Sequence, residues 1–585
     1  MKKYIICFSV LLMCSALSCK KNFTALNTNP AQYTTPDPEP VFTGIVVNTV
    51  NQIETLNQSF FWEYGHLIEP SGERYNAQDD NHWKTFYATV LGNATQIKNI
   101  YQNKTGYANR MRIVDIWECY VYSILVGMYG PIPYSQAGNP ALTSIPYDDE
   151  NTIYTDLMAR LKADANNMDP NGDKMNPDVL NFTLTNWVKF ANSLRLQLAL
   201  RVSNNLPALS ASNATELMAN EAMLLGSDAD DPKLTFSAVA GSQSPNYAQY
   251  VVNTNPPQYP YMSDYVATYF RSYNDPRQGA YFAPEATPYA ITDTLTSTAD
   301  NLHHIVTYTI PYFGSPKATA LLSSWSIPTA PLFNNITTTI GKASYSGISP
   351  TLIAATRPFY IMNYAEVCFM KAEARQKNYV GSTGATADVY YYAGINANFA
   401  FWGLTQAQAT AYEAQNGIQW NTAGKGFNYY LGAISSSIPN NNLSRIWVQE
   451  WLNYFDDNGF EAWALQRRTQ NLVLPPHTNP ATIYLTTVGY GTLPDRFAYP
   501  NVEITNNPIG YTNGVKLLGS TLNIFGDSPF TTLKIEPAYT PVNWLTTHVF
   551  LDPTYVEKWF GPTIQSATTG LAAAGLKPYV QTGTY

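Results

Sequence analysis

Apolar residues recur every three or four positions in four stretches of the chain, the spacing of one helical face. Over 112–130 the stripe is Ile113, Ile116, Trp117, Tyr120 and Ile124, and Gly130-Pro131 supplies a stop. Over 185–203 it is Phe190, Leu194 and Leu198, with Arg195 and Arg201 among the cations of that helix. Met362, Ala365, Phe369 and Ala372 do the same over 359–377, and Trp447, Trp451 and Phe455 over 446–455. After this last stripe Asp456-Asp457-Asn458-Gly459 predicts a turn, followed by a second helix through Arg468. Each stripe has an antiparallel neighbour in sequence, at 83–104, 150–168, 386–402 and 460–470 respectively. Pairs recurring this way predict a mainly α chain, with about four tetratricopeptide-like hairpins stacked into a scaffold from about 83–204 and 358–470. The Pro/Gly/Asn/Tyr-rich stretches 225–357 and 471–585 lack the helical period and predict a loop-rich lobe with a few short strands. Loops held on a rigid frame are where ligand sites concentrate.

The first nineteen residues follow a different pattern. Lys2 and Lys3 precede an apolar run from Tyr4 to Met13, then the small-residue stretch 15–18, then Cys19. Positive, apolar, then small is the order of a secretory signal, and the run is too short to span ~30 Å of hydrocarbon. Ala16-Leu17-Ser18-Cys19 resembles a bacterial lipobox, with Ala16 where Leu is usual. That resemblance implies removal of 1–18 and lipid on Cys19. Several acyl chains, at ~0.8 kcal/mol per buried methylene, make a durable anchor. The Pro/Thr/Asn-rich residues 19–40 then read as a flexible tether, which leaves 41–585 as a single domain.

Composition narrows the partners. Charged residues make up 13% of the chain, against roughly 25% in typical soluble domains. A net charge of −8 gives no electrostatic footprint for nucleic acid. The charge deficit is filled by 43 tyrosines and by Asn, Thr and Ser; flat area plus adaptable hydrogen bonds suits uncharged, hydroxyl-rich ligands. Once the leader and the anchor cysteine are set aside, Cys119 and Cys368 remain. They read as independent buried thiols, with a single bridge as the alternative.

Three motifs carry a resemblance. They are the helix from Trp187 to Arg201 (Trp-Val-Lys-Phe-Ala-Asn-Ser-Leu-Arg-Leu-Gln-Leu-Ala-Leu-Arg), the run from Pro358 to Glu366 continuing into Lys371-Ala-Glu-Ala-Arg375, and Glu461-Ala-Trp463 followed by Arg467-Arg468-Thr469. Asn27-Thr-Asn-Pro30, Tyr129-Gly-Pro-Ile-Pro-Tyr134, Asp275-Pro-Arg277, Gly394-Ile395 and Arg496-Phe-Ala-Tyr-Pro500 add support, in family order. Together they resemble the SusD/RagB family of outer-membrane nutrient-binding lipoproteins. The resemblance implies a four-hairpin α scaffold with an irregular ligand-binding lobe, and a SusC-like TonB-dependent outer-membrane transporter as partner. It implies a lid that faces the cell exterior, captures glycans or related nutrients and passes them to the barrel, without being an enzyme. The hallmark residues Glu366, Glu373, Glu461, Arg467 and Arg468 lie on amphipathic helices and read as inter-helix salt bridges or caps, and Trp187, Trp447, Trp451 and Trp463 as core.

A sugar ring offers apolar C–H faces and equatorial hydroxyls, so its site wants flat aromatics flanked by planar polar groups. The loop from Glu73 to Trp83 has that composition, and the resemblance places ligand sites in this region and in the second-lobe loops. Arg74, Tyr75, Asn76, Asp79 and Trp83 are therefore candidate ligand residues, with Trp83 also readable as the first core residue of the following helix. Tyr259, Tyr261, Tyr265, Tyr312 and Trp325 are the second-lobe candidates. No HExxH, P-loop, GxSxG or CxxC motif is present, and no cofactor is expected. Asp228-Ala-Asp-Asp231 resembles half of a calcium loop, so an opportunistic Ca²⁺ is the one ion expectation. Two further function classes stand beside the binding lid: a structural or assembly subunit of the transporter complex that binds no ligand, and a surface glycoside hydrolase.

Overall fold

A computed structural model of the chain describes residues 37–69, 80–254, most of 259–284, then 346–379, 384–421 and 441–471 (apart from 416 and 470), and 495–519, together with strand segments between 289 and 340 and at 576–578. The described chain is mostly helical. Helix α1 (Pro38–Leu56) runs on through a π-helical turn to Tyr64. The first hairpin follows: α2 (Asp80–Lys84), a π-helical segment (Thr85–Leu91) and α3 (Gly92–Tyr101) pack against α4 (Ala108–Tyr129). The second pairs α5 (Glu150–Asn167) with α6 (Leu184–Arg201), and α7 (Pro207–Met218) packs beside α6. The third is α8 (Tyr364–Gln376) with α9 (Ala387–Phe401), which α10 (Gln406–Glu413) extends. In the fourth, α11 (Asn442–Asn453) turns into α12 (Gly459–Thr469).

Local chemistry sets these boundaries. Asp149, Asn363 and Asn441 cap α5, α8 and α11 by accepting backbone N–H bonds, and Thr183 forms a reciprocal capping box with Asn186 at α6. Gly130, at φ +81°, ends α4 where the sequence predicts a stop. In the turn from α11 to α12, Asp456 takes a left-handed φ of +73°. The four predicted hairpins are all present, with ends within a few residues of the expected ones.

Helix α1 is the element that the apolar stripes do not announce. It starts at Pro38, inside the stretch expected to be tether, and Pro38 itself is buried. Phe42, Ile45, Val46, Thr49, Val50 and Ile53 form its core face, which packs across the first hairpin. Two more helices, α13 (Asn501–Asn506) and α14 (Pro508–Leu517), lie in the part expected to be loop-rich. Their Asn, Gly and Pro content hides them from periodicity. Gly514 meets the Tyr147 ring so closely that a Cβ there would sit 2.4 Å from it.

Strands are short, as predicted, apart from one hairpin. Strands β1 (Ile68–Glu69) and β3 (Tyr261–Met262) pair with each other, as do β2 (Lys233–Leu234) and β8 (Phe359–Tyr360), all antiparallel. The hairpin of β4 (Tyr289–Ser297) and β5 (His303–Ile310) runs in register from Tyr289↔Ile310 to Thr296↔His303, with β9 (Leu576–Pro578) on its other edge. Strands β6 (Trp325–Ser326) and β7 (Thr339–Ile340) form a separate pair. Cys119 and Cys368 are both buried and free. The core is continuous through the hairpins, with Trp62, Trp117, Trp187, Trp451 and Trp463 fully buried.

Candidate functional site

The charged hallmark residues hold helices together. Arg468 on α12 makes a two-pronged contact with Glu373 on α8, which also accepts from the half-buried Trp447 Nε1 at 2.8 Å. Arg201 on α6 donates to both oxygens of Glu461 on α12. Gln197 Nε2 donates to Glu366 at 2.6 Å, and Arg467 donates to the carbonyls of Gly127 and Asp495 at 2.7 Å each. Burial pushes the Glu373 carboxyl up, but the charges of Arg468 and Lys377 overcome it and hold it down at about 2. Burial pushes Glu450 up to about 8, against the pull of Arg468 and with Glu373 adding to the rise. The cavity bordered by Arg201, Glu450, Glu461 and Arg468 measures about 20 Å³. That is room for one water and none for a sugar, so these acids brace the scaffold.

The same holds for Asp275-Pro276-Arg277. Arg277 is fully buried and pairs with both oxygens of Asp275. It also donates to Asn398 Oδ1 on α9 (3.0 Å), Tyr412 OH on α10 (3.0 Å) and Gln449 Oε1 on α11 (2.9 Å). One side chain therefore ties the irregular lobe to three scaffold helices.

A separate junction pairs the chain just before the first candidate loop with the chain that carries Tyr259 and Tyr261. Gly65 closes the first helical run, and its carbonyl accepts from Trp451 Nε1 at 2.7 Å. His66, at φ +57°, turns the chain into β1. Ser263 Oγ donates to the His66 carbonyl at 2.6 Å and fixes β3 alongside, with Ile68 opposite Met262 and Glu69 opposite Tyr261. Gly347 bridges Tyr261 from the other edge, and Ile348 N donates to the Pro260 carbonyl at 3.0 Å. Residues 68–69, which precede the stretch with Arg74 to Asp79 in sequence, thus pair directly with Met262 and Tyr261, and Tyr259 stands two residues before Tyr261. Both tyrosines are half-buried, and two residues apart on extended chain they project to the same side. Met262, on the opposite side, is fully buried. The neighbours Ser263, His66 and Gly347 that build the junction carry no sequence signal; Ser263 and His66 are 197 residues apart in sequence.

The remaining candidates fall elsewhere. Trp83 is 4% exposed: its Nε1 donates to Glu503 Oε1 at 3.1 Å, and the rings of Tyr87 and Tyr129 approach it at 4.6 and 4.9 Å. It offers no open face to a sugar, so the core reading replaces the ligand one. Trp325 lies on β6, and its side chain is outside the described residues. Arg74, Tyr75, Asn76, Asp79, Tyr265, Tyr312 and Cys19 also lie outside them. In the half calcium loop, Asp230 is taken up by Lys189 Nζ (2.8 Å), Asn186 and the Gly226 N–H. Among the described residues no group of three or more His, Cys, Asp or Glu is placed to hold a metal ion.

Solved structures share this architecture. A chitin-binding protein superposes with a TM-score of 0.65 at 20% identity, over 86% of this chain and all of its own. A chitin-binding SusD homolog from Flavobacterium johnsoniae gives 0.63 at 23% identity, over 86% of this chain and 98% of its own. A SusD homolog from Bacteroides uniformis gives 0.62 at 22% identity, over 86% and 99%. At these identities the likeness speaks to the fold. No curated protein sequence matches the chain. The SusD-like family model, described as starch-binding and associating with the outer membrane, matches residues 30–500, and the chain belongs to that SusD-like family.

Proposed function

We propose that this protein is a lipid-anchored glycan-binding component of the outer membrane that captures a neutral oligosaccharide and passes it to a SusC-like TonB-dependent transporter, over which it sits as a lid. The observation that carries the reading is the β1–β3 junction, which brings Tyr259 and Tyr261 beside the root of the polar segment with Arg74, Tyr75, Asn76 and Asp79. Half-buried tyrosines offer a C–H-binding surface on a fixed support, and the neighbouring segment supplies planar polar groups for hydroxyls. The low charge of the chain fits an uncharged ligand. Two similar structures are of chitin-binding proteins, and the family description names starch; both polymers are neutral chains of pyranose rings. Lipid on Cys19 would supply the anchor, as the lipobox-like Ala16-Leu17-Ser18-Cys19 implies.

Affinity electrophoresis through gels containing soluble starch or glycol chitin tests the binding role. The wild-type protein is expected to be retarded by one of the polymers, and the Tyr259→Ala/Tyr261→Ala double variant to be retarded measurably less. Equal retardation of both proteins removes the junction as the site. No retardation of either favours the non-binding assembly subunit. Mild-detergent pull-down from membranes tests the lid role, with a large β-barrel protein expected at near-equal amount.

A further inference from the structure

Helix α1 and the π-helical turn that continues it have a second face that is half-buried to exposed. Thr43, Val47, Asn51, Thr55 and Gln58 follow one another every three or four residues along it, and none is charged. An unburied helical stripe ordinarily carries Lys, Glu or Arg. Across from it runs the segment after β2, and the sequence holds no charged residue between Lys233 and Asp264. The two walls enclose an open groove of about 560 Å³, within the roughly 300–1,000 Å³ of ligand sites. None of its lining residues belongs to the β1–β3 junction.

The groove is preorganised, and three of its side-chain amides face solvent. Its loop wall is pinned to the scaffold: Tyr250 stacks on buried Trp62 at 6.2 Å, Trp62 Nε1 donates to the Asp456 carbonyl at 2.6 Å, and Ser244 N donates to the Ala355 carbonyl at 2.8 Å. Two lining amides are committed, Gln58 Nε2 to Asn246 Oδ1 (2.8 Å) and Gln243 Nε2 to the Ala238 carbonyl (3.2 Å). The side-chain amides of Asn51, Gln249 and Asn253 have no hydrogen-bond partner among the described residues, and all three are exposed around the same space. An amide presents a donor and an acceptor side by side, the complement of two adjacent hydroxyls. Half-buried Phe236 adds a flat apolar patch to the wall. Free amides, one aromatic face and no charge are what a neutral pyranose chain requires.

We propose that this groove is a second binding site for a neutral, hydroxyl-rich oligosaccharide, distinct from the junction. For its ligand class the proposal rests on the glycan-binding reading above. Isothermal titration of the full-length protein with maltoheptaose and with chitohexaose separates the two sites. The wild-type protein is expected to show two binding events for one of the probes. Asn51→Arg, a substitution of an exposed residue by a good helix former, places a long cation in the groove and is expected to abolish one event; Asn253→Ala should weaken the same event about tenfold, the worth of one or two lost hydrogen bonds. Tyr261→Ala should remove the other event and leave this one. A single event that Tyr261→Ala removes and both groove variants leave untouched overturns the groove and keeps the junction. Absence of binding by the wild-type protein to either probe overturns both.

Discussion

At the level of single side chains, the acids of the four-hairpin core are divided between two states by their immediate partners. Glu373 faces Arg468 and Lys377 and stays ionised, while Glu450, hydrogen-bonded to Tyr454 OH at 2.9 Å, holds its proton up to about pH 8. The two carboxyls lie in one fully buried cluster, so the difference comes from which of them the guanidinium grips. The sign of the consequence for stability follows from proton counts. Between the ordinary value of 4.5 and about 8 the folded state keeps the Glu450 proton that the unfolded chain releases. Its contribution is therefore complete below pH 4.5 and is lost as pH climbs through 8, at about 1.4 kcal/mol per pH unit for one fully differential proton. Glu450→Gln keeps the shape and removes the titration. Urea unfolding from pH 5 to 9 should show the variant losing stability less steeply than the wild-type protein, by up to that slope. Parallel curves would mean that Glu450 is ionised in the folded state.

Among the elements, one close helix contact is also one of the motifs. Where α8 crosses α9, Gly394 lies against the Phe369 ring, and a Cβ at that position would come within 2.5 Å of it. Gly394→Ala is expected to force the helices apart and cost about 1–3 kcal/mol, as overpacking of a filled core does. A urea midpoint unchanged from wild type would show that Phe369 has room to turn away. The hairpins were legible in sequence because their apolar stripes are long and their ends are marked by Asp149, Thr183, Asn363 and Gly130. Helix α1 was not legible: Val41, Val46, Val47, Val50, Thr43 and Thr49 are β-branched and weak helix formers, and two prolines stand at its start. Tertiary packing on the first hairpin outweighs that local preference. For the candidate site, sequence offers residue types in polar stretches and not their surroundings. An aromatic in a polar stretch looks the same whether it stacks on a ligand or, like Trp83, on Tyr87 and Tyr129. What separates the two is the partner Glu503, 420 residues away in sequence.

For the molecule as a whole, the decisive link is Arg277, because it joins the segment that carries Tyr259 and Tyr261 to three helices of the scaffold at once. The hairpins have their own braces, Arg468–Glu373 and Arg201–Glu461, and neither passes through Arg277. Loss of its guanidinium strands Asp275, itself fully buried, with an uncompensated charge, at a cost of about 3–5 kcal/mol. A whole domain has only about 5–15 kcal/mol of stability, so such a loss is felt first where few other contacts hold. Arg277→Met fills most of the same volume without the charge. Limited chymotrypsin digestion should then cut between residues 259 and 349 several-fold faster than in the wild-type protein, while the helical circular dichroism at room temperature stays near its original value. Retardation in a polymer gel should weaken along with it, because the junction tyrosines lose their support. Cleavage at the wild-type rate would show that Gly347, Ser263 and the β1–β3 pairing hold the junction without Arg277. Simultaneous loss of the helical signal would show that lobe and scaffold unfold as one unit, and the two-part division of this molecule would then describe its sequence and not its energetics.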